Sequence, residues 1–179
     1  SMAGSVLGVQ TALSKGGKVN YFHRPEDQKT CLHVAAEGGY FEVCKVLLQA
    51  GAVVDAVAIT NKDTALILAA SYGFANIVTL LLDNGANINV ENAYGNSPIH
   101  EAARHGFIDV ATVLLARGAV VNCLNRKGST PLHVACYGVD AKEFPLALYT
   151  LLTSHPTCDV NAKDSRGVTA LIAACGAGR

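Results

Sequence analysis

The stretch Ser97-Pro98-Ile99-His100-Glu101-Ala102-Ala103 decides the fold, because it does not stand alone. Thr130-Pro131-Leu132-His133-Val134-Ala135-Cys136 follows the same pattern, as do Thr30-Cys31-Leu32-His33-Val34-Ala35-Ala36, Thr64 to Ala70 and Thr169 to Cys175. The copies start at residues 30, 64, 97, 130 and 169, spacings of 34, 33, 33 and 39 residues. A period of this size means a stack of small units in which each buries its apolar face against the next.

Within a copy the spacing predicts two short helices. Leu66, Ala69 and Ala70 fall at i, i+3 and i+4, and Ile77, Val78, Leu81 and Leu82 repeat that helical spacing. The first helix opens on Thr or Ser, whose hydroxyl can cap free backbone N–H groups, and Pro98 and Pro131 sit where a first turn tolerates proline. Gly39, Gly73 and Gly106 precede the second apolar stretch, which runs from Val43 to Leu48, Ile77 to Leu82 and Val110 to Leu115. Gly51-Ala52, Gly85-Ala86 and Gly118-Ala119 then close it, where a left-handed residue suits glycine. Helices of about 8 to 10 residues are marginal alone in water, so each must be stabilised by its neighbours.

The Thr-Pro-Leu-His opening, the Ala-Ala pair, the double Leu, the Gly-Ala closure and the loops Asn89 to Gly95 and Asn122 to Gly128 together resemble the ankyrin repeat. The resemblance covers about residues 7 to 179. It implies an all-α solenoid of paired antiparallel helices with β-hairpin fingers projecting at right angles. The expected organisation is one continuous solenoid. An N-terminal segment, 1–29, holds a Ser1-Met2 expression scar and a degenerate partial repeat with Val6 to Leu13 as its outer helix. Repeats follow at 30–63, 64–96 and 97–129, then a lengthened repeat at 130–168 and a truncated one, inner helix only, at 169–179. An unpaired inner helix exposes an apolar face, so the chain is expected to be part of a longer protein.

Composition narrows the function. Lys plus Arg equals Asp plus Glu at 14 each, which argues against nucleic acid or an anionic membrane as the main partner. No apolar run reaches the roughly 18 residues of a membrane helix, and no signal peptide is evident, so a cytoplasmic location is expected, with a nuclear one left open. Six cysteines, at 31, 44, 123, 136, 158 and 175, have no close spacing, and most replace Ala or Val of another copy, so they read as reduced, buried small residues. The segment His100 to His105 imitates a zinc-protease pattern but is one residue too long. At about 100° per residue, histidines five apart point roughly 140° away from each other. By the resemblance, His33, His100 and His133 instead hydrogen-bond between copies, and Ile67 and Ile172 replace them elsewhere. Catalytic elbows and phosphate loops are absent, Glu26-Asp27 reads as a solvated finger, and neither a cofactor nor a metal is expected.

The resemblance therefore implies a non-catalytic interaction module that binds a peptide or folded protein through its concave face. The inner-helix positions there are Val34, Glu37, Leu68, Ser71, Tyr72, Glu101, Arg104, His105, Val134 and Tyr137. Finger positions are Phe22, His23, Val57, Ile59, Glu91, Tyr94, Leu124, Arg126, Lys127, Lys163 and Arg166. Tyr and Arg dominate binding hot spots, which singles out Tyr72, Tyr94, Arg104 and Tyr137. Leu68 and Val134 would add apolar area, and Ile59 stands where a charged residue is usual. The basic fingers around Arg126 and Lys127 call for an acidic partner segment. The fragment itself is expected to be monomeric. Two other readings remain: a structural or regulatory segment packed on another domain of its own chain, whether or not that domain is an enzyme, and Cys/His metal binding. Asn89 and Asn161 occupy a position that resembles a target of asparagine hydroxylation, and Asn161 alone follows an acidic-then-apolar pair, Asp159-Val160. The extra residues of the fourth copy lie in Gly138 to Leu146 and Ser154 to Thr157. If stability is nearest-neighbour, Leu114→Asp unfolds the middle of the array; circular dichroism should show a clear loss of helix, and an unchanged spectrum and melt would count against the stack.

Overall fold

The computed structural model describes residues 2–20, 28–137 and 146–176. Ten helices run through them: α1 (Met2–Ser14), α2 (Cys31–Glu37), α3 (Phe41–Gln49), α4 (Ala65–Ser71), α5 (Ala75–Asp83), α6 (Pro98–His105), α7 (Ile108–Ala116), α8 (Pro131–Tyr137), α9 (Leu146–Thr153) and α10 (Ala170–Gly176). The even-numbered helices pack side by side as an inner layer, and the odd-numbered ones form an outer layer behind them. Each inner helix from α2 to α8 also packs on the outer helix that follows it. The first outer helix starts at Met2, four residues before the expected Val6, and packs on α3.

Residue size explains the layering. Ala69, Ala70, Ala102 and Ala103 lie fully buried where inner helices approach, and small side chains permit that approach. Leu66, Ile77, Leu81, Ile99, Leu114, Leu148 and Leu152 fill the space between the layers. All six cysteines are free thiols. Cys44 and Cys136 join the core, and burial pushes the Cys44 thiol up to about 12. Cys31 and Cys175 correct the expectation of buried cysteines: both are exposed, at the first residue of α2 and in the last turn of α10, off the packed seam.

The inner helices begin in an unusual way. A capping box normally uses Glu or Gln at the third helical position. Here Nδ1 of His33, His100 and His133 accepts the backbone N–H of Thr30, Ser97 and Thr130 at 3.1, 3.2 and 3.3 Å. The other ring nitrogen, Nε2, lies 3.1, 3.0 and 2.9 Å from the carbonyl oxygens of Asp63, Ser129 and Val168. A carbonyl oxygen only accepts, so Nε2 carries the proton and the tautomer is settled. One ring thus caps its own helix and pins the end of its own copy, from which the next inner helix starts. In the copy that has Ile67 instead, the Thr64 hydroxyl accepts the Ile67 N–H at 3.4 Å.

The segments between outer and inner helices project as fingers, and among the described residues their tips form no strand ladder. The β-bridge recorded between described residues is an isolated antiparallel one, Lys163 with Thr169. An Asx side chain does the work that a second ladder rung would do. Asn92 Oδ1 accepts the N–H groups of Tyr94 and Asn96, Asn125 Oδ1 those of Lys127 and Ser129, and Asp164 Oδ1 those of Arg166 and Val168. Neighbouring tips are hydrogen-bonded together: Ala93 N–H to Asn61 O at 2.6 Å, Arg126 N–H to Tyr94 O and Ser165 N–H to Lys127 O at 3.1 Å each. That close approach requires glycine, since a Cβ on Gly95 would meet Arg126 N at 2.8 Å and one on Gly128 would meet Ser165 N at 2.9 Å.

Both glycines are also left-handed, with φ of 73° and 67°, and Gly167 matches them at 77°. At the equivalent positions of the first two fingers stand Gln28 (φ 46°) and Lys62 (φ 56°). A left-handed L-residue costs about 1–2 kcal/mol, and glycine gives back part of that through unfolded-state entropy. Lys62→Gly should therefore raise the stability to denaturant by about 0.5–1 kcal/mol; a midpoint that falls would contradict the strain.

The pins respond to pH. Desolvation pulls the His33 and His100 imidazoles below their ordinary value, outweighing the carbonyl bonds that favour charge. The folded chain then resists protons that the unfolded chain binds below about 6.5, so stability is complete above that pH and declines beneath it. The melting temperature should drop between pH 7.5 and 5, and less so in His33→Gln/His100→Gln, whose baseline is lower. Equal slopes for the two proteins would show that these rings do not carry the effect.

Candidate functional site

Two hollows lie between the fingers and the inner layer. The larger, about 810 Å³, is lined by Tyr94, Arg104, Arg126, Lys127, Val134 and Tyr137, together with residues of the last finger including Asp164 and Arg166. Seven residues named from the sequence, Arg166 among them, thus meet in one place. The smaller hollow, about 420 Å³, gathers Leu68, Tyr72 and His105 with Lys29, Glu37 and Asp63. There Tyr72 Oη donates to Glu37 Oε1 at 3.2 Å, and Lys29 Nζ holds the other Glu37 oxygen at 2.7 Å. Desolvation, followed by the Glu37 charge, raises the Tyr72 phenol above its usual range. Ile59 is exposed on the second finger and lines neither hollow. Phe22 and His23 lie outside the described residues, as does most of the insertion from Gly138.

Exposure corrects part of the expected surface. Tyr94, Tyr72 and Tyr137 are open to solvent at 59%, 51% and 38%. Leu68 and Val134 are buried at 6% and 7%, so they floor their hollows rather than stand out from them. Glu101 is also buried, and lines neither hollow. Its Oε1 accepts Nδ2 of Asn96 at 2.8 Å and of Asn92 at 3.3 Å. Asn92 also reaches Asp63 Oδ1 at 3.1 Å, and Asn125 Nδ2 donates to Asn96 Oδ1 at 2.9 Å. The carboxylate is an internal anchor for three consecutive fingers. Sequence position alone, one turn before Arg104, had placed it on the open face.

The four cations of the large hollow are held differently. Arg166 donates from Nε and Nη2 to Asp164 Oδ2 at 3.1 and 2.8 Å, and from Nη2 to Tyr137 Oη as well. Its guanidinium lies 5.3 Å from the centre of the Tyr137 ring, a cation–π contact. The Arg166 hydrogen bond, followed by the Val168 N–H, holds the Asp164 carboxyl down at about 2. Arg104 Nε lies 3.4 Å from Glu101 Oε2 but is not aimed at it, so the pair is an ion contact without a hydrogen bond. Arg126 and Lys127 are exposed and have no ion pair among the described residues. Asp164 went unnoticed in the sequence, although Asn161-x-x-Asp164-x-x-Gly167 repeats the Asn-x-x-Asn-x-x-Gly loop and could have revealed it.

One arrangement resembles a nucleophile pair. Cys123 Sγ lies 3.3 Å from Ser97 Oγ and 3.6 Å from His100 Nδ1. Nucleophilic attack needs the thiolate, yet burial raises the Cys123 thiol, and His100 Nδ1 already serves the Ser97 cap. The trio packs and caps. Among the described residues no helix is long and apolar enough to cross a membrane. Asn89 Oδ1 accepts the Val120 N–H at 3.2 Å, linking one copy to the next, and Asn161 is exposed.

Comparison with known proteins agrees with this geometry. Residues 53–125 and 89–164 match the family described as ankyrin repeats (3 copies), and residues 27–59 match the single ankyrin repeat. The chain is 46% identical over 83 residues to the ankyrin repeat and KH domain-containing protein mask of Drosophila melanogaster, covering 46% of this chain and 2% of that protein. It is 45% identical over 82 residues to the human ankyrin repeat and KH domain-containing protein 1, covering 45% of this chain and 3% of the relative. With the mouse B-cell lymphoma 3 protein homolog it shares 40% over 86 residues, 48% of this chain and 19% of that one. It therefore spans a small fraction of each relative. Ankyrin repeats are generally protein–protein interaction modules. The family models extend across most of the repeated region, and the chain belongs to the ankyrin-repeat family.

Proposed function

We propose that this chain is a non-catalytic interaction module of a larger intracellular, cytoplasmic protein, and that it grips a peptide or folded partner in the large hollow. One observation carries the reading: Tyr94, Arg104, Arg126, Lys127 and Tyr137, from four different elements, surround a single concavity with an apolar floor. Its rim is held by tip-to-tip hydrogen bonds and its floor by packed helices, so little conformational entropy is lost when a partner docks. Cations without carboxylate partners, Arg126 and Lys127, support an acidic partner segment on that side. Tyr72, Leu68, His105 and Ile59 extend the contact surface toward the N-terminal fingers.

A second reading is favoured by the relatives: the chain matches only 2% and 3% of two of them, so repeats of this kind sit within very long proteins. The same hollow could then receive another domain of its own chain. Asn161 and Asn89 are both exposed, and hydroxylation is supported at Asn161 more than at Asn89, whose side chain accepts the Val120 N–H.

Affinity capture from cell extract with wild type and with Arg104→Glu/Tyr137→Ala separates these ideas, since a partner using the hollow should be lost from the variant. Identical captured proteins would remove the hollow from the site. For a captured partner, Arg126→Glu/Lys127→Glu should weaken binding at least tenfold in low salt and flatten its salt dependence; an unaltered slope would remove those two fingers.

A further inference from the structure

The cations of the large hollow are not interchangeable. Arg166 is already neutralised by Asp164 and occupied by Tyr137. Arg104 leans on Glu101 through Nε alone, and no hydrogen bond engages its Nη atoms among the described residues. Arg126 and Lys127 have no carboxylate partner among the described residues. One point of unpaired positive charge therefore lies on the fourth finger tip, and on α6 the ion-paired Arg104 keeps Nη donors open to a second carboxylate. Val134 and Tyr137 of α8 lie in the same hollow and offer apolar surface.

We infer that the hollow takes an extended acidic peptide segment in which two carboxylates flank an apolar side chain, one for Arg126 and Lys127, one for Arg104, with the apolar group on Val134 and Tyr137. This rests on the hollow being the docking site. Extended chains place alternate residues on one face, with about 3.3 Å per residue, so the inward positions are i, i+2 and i+4. The pattern is acidic-x-apolar-x-acidic. A single phosphate fits less well, because it needs donors converging on one point, whereas these cations sit on different elements with an apolar floor in the same concavity. A nucleic-acid strand would seek a broad positive surface, and this chain has a formal net charge of +0.

The test uses the whole chain and fluorescein-labelled ten-residue peptides with Gly-Ser flanks around Glu-Ala-Leu-Ala-Glu, the shuffled Leu-Ala-Ala-Glu-Glu, and the neutral Gln-Ala-Leu-Ala-Gln. Fluorescence anisotropy should show the patterned peptide binding at least tenfold more tightly than the shuffled one, with the neutral one weaker still. Arg126→Gln/Lys127→Gln, at exposed tips that leave the helices untouched, should abolish the preference, as should Arg104→Gln with unchanged circular dichroism. Equal binding of the two acidic peptides, with the neutral one excluded, would overturn the pattern and leave acidic docking standing. No binding of any peptide at millimolar concentration would sink both, as would equal binding of a ten-nucleotide oligo-dT.

Discussion

An imidazole hydrogen-bonded to the backbone carbonyl that closes its own copy, immediately before the next copy begins, is the interaction on which this array turns. Helices of seven to nine residues lack the length to persist in water, so each copy holds its shape only when the next is in register. Hydrophobic burial between layers provides most of the stabilisation but is non-directional. Direction comes from His33, His100 and His133, each of which fixes where the following finger ends and the next inner helix begins. The same ring closes its own helix start, so a misplaced copy would leave both a helix terminus and a carbonyl unsatisfied.

The copy with Ile67 in place of this ring shows what the constraint requires. Ile67 cannot reach a carbonyl, and at that junction a polar network occupies the interior instead: Asp63, Asn92, Asn96 and Glu101, continued to Asn125. Networks of this kind stabilise when every member is paired and are costly otherwise. Glu101 therefore holds the third finger, and through Asn96 the fourth, in the positions from which Tyr94, Arg126 and Lys127 edge the hollow. Packing and candidate site are thus parts of one hydrogen-bonded structure.

The layers were legible in the sequence because helical periodicity and the glycine positions report local geometry directly. Leu66, Ile77 and Leu114 are buried as their spacing requires, and Gly51, Gly85 and Gly118 are left-handed as the helix closures demand. Much of the large hollow could also be read, since Arg104 and Tyr137 hold the same position in successive copies. What escaped was the orientation of polar side chains. Glu101 and Arg104 are three residues apart on one helix, and only their hydrogen-bond partners reveal that one turns inward and the other borders solvent. The left-handed Gln28 and Lys62 were hidden for a related reason: a non-glycine residue gives no local sign that tertiary contacts have imposed a positive φ.

Charge in the large hollow is set by which carboxylates the fold has already used. Four cations meet one lining carboxylate, Asp164, and that group is held ionised by Arg166 and by two backbone N–H groups. Arg166 is consequently a structural cation, tying the last finger to α8 through Tyr137. Arg104, leaning on Glu101 behind it, is positioned without being fully satisfied. The field that a partner meets therefore comes chiefly from the fourth finger, and it is strongest within about 8–10 Å at physiological salt. Selectivity then follows from geometry as well as sign, since an acidic group must arrive together with apolar surface for Val134 and Tyr137 to contribute.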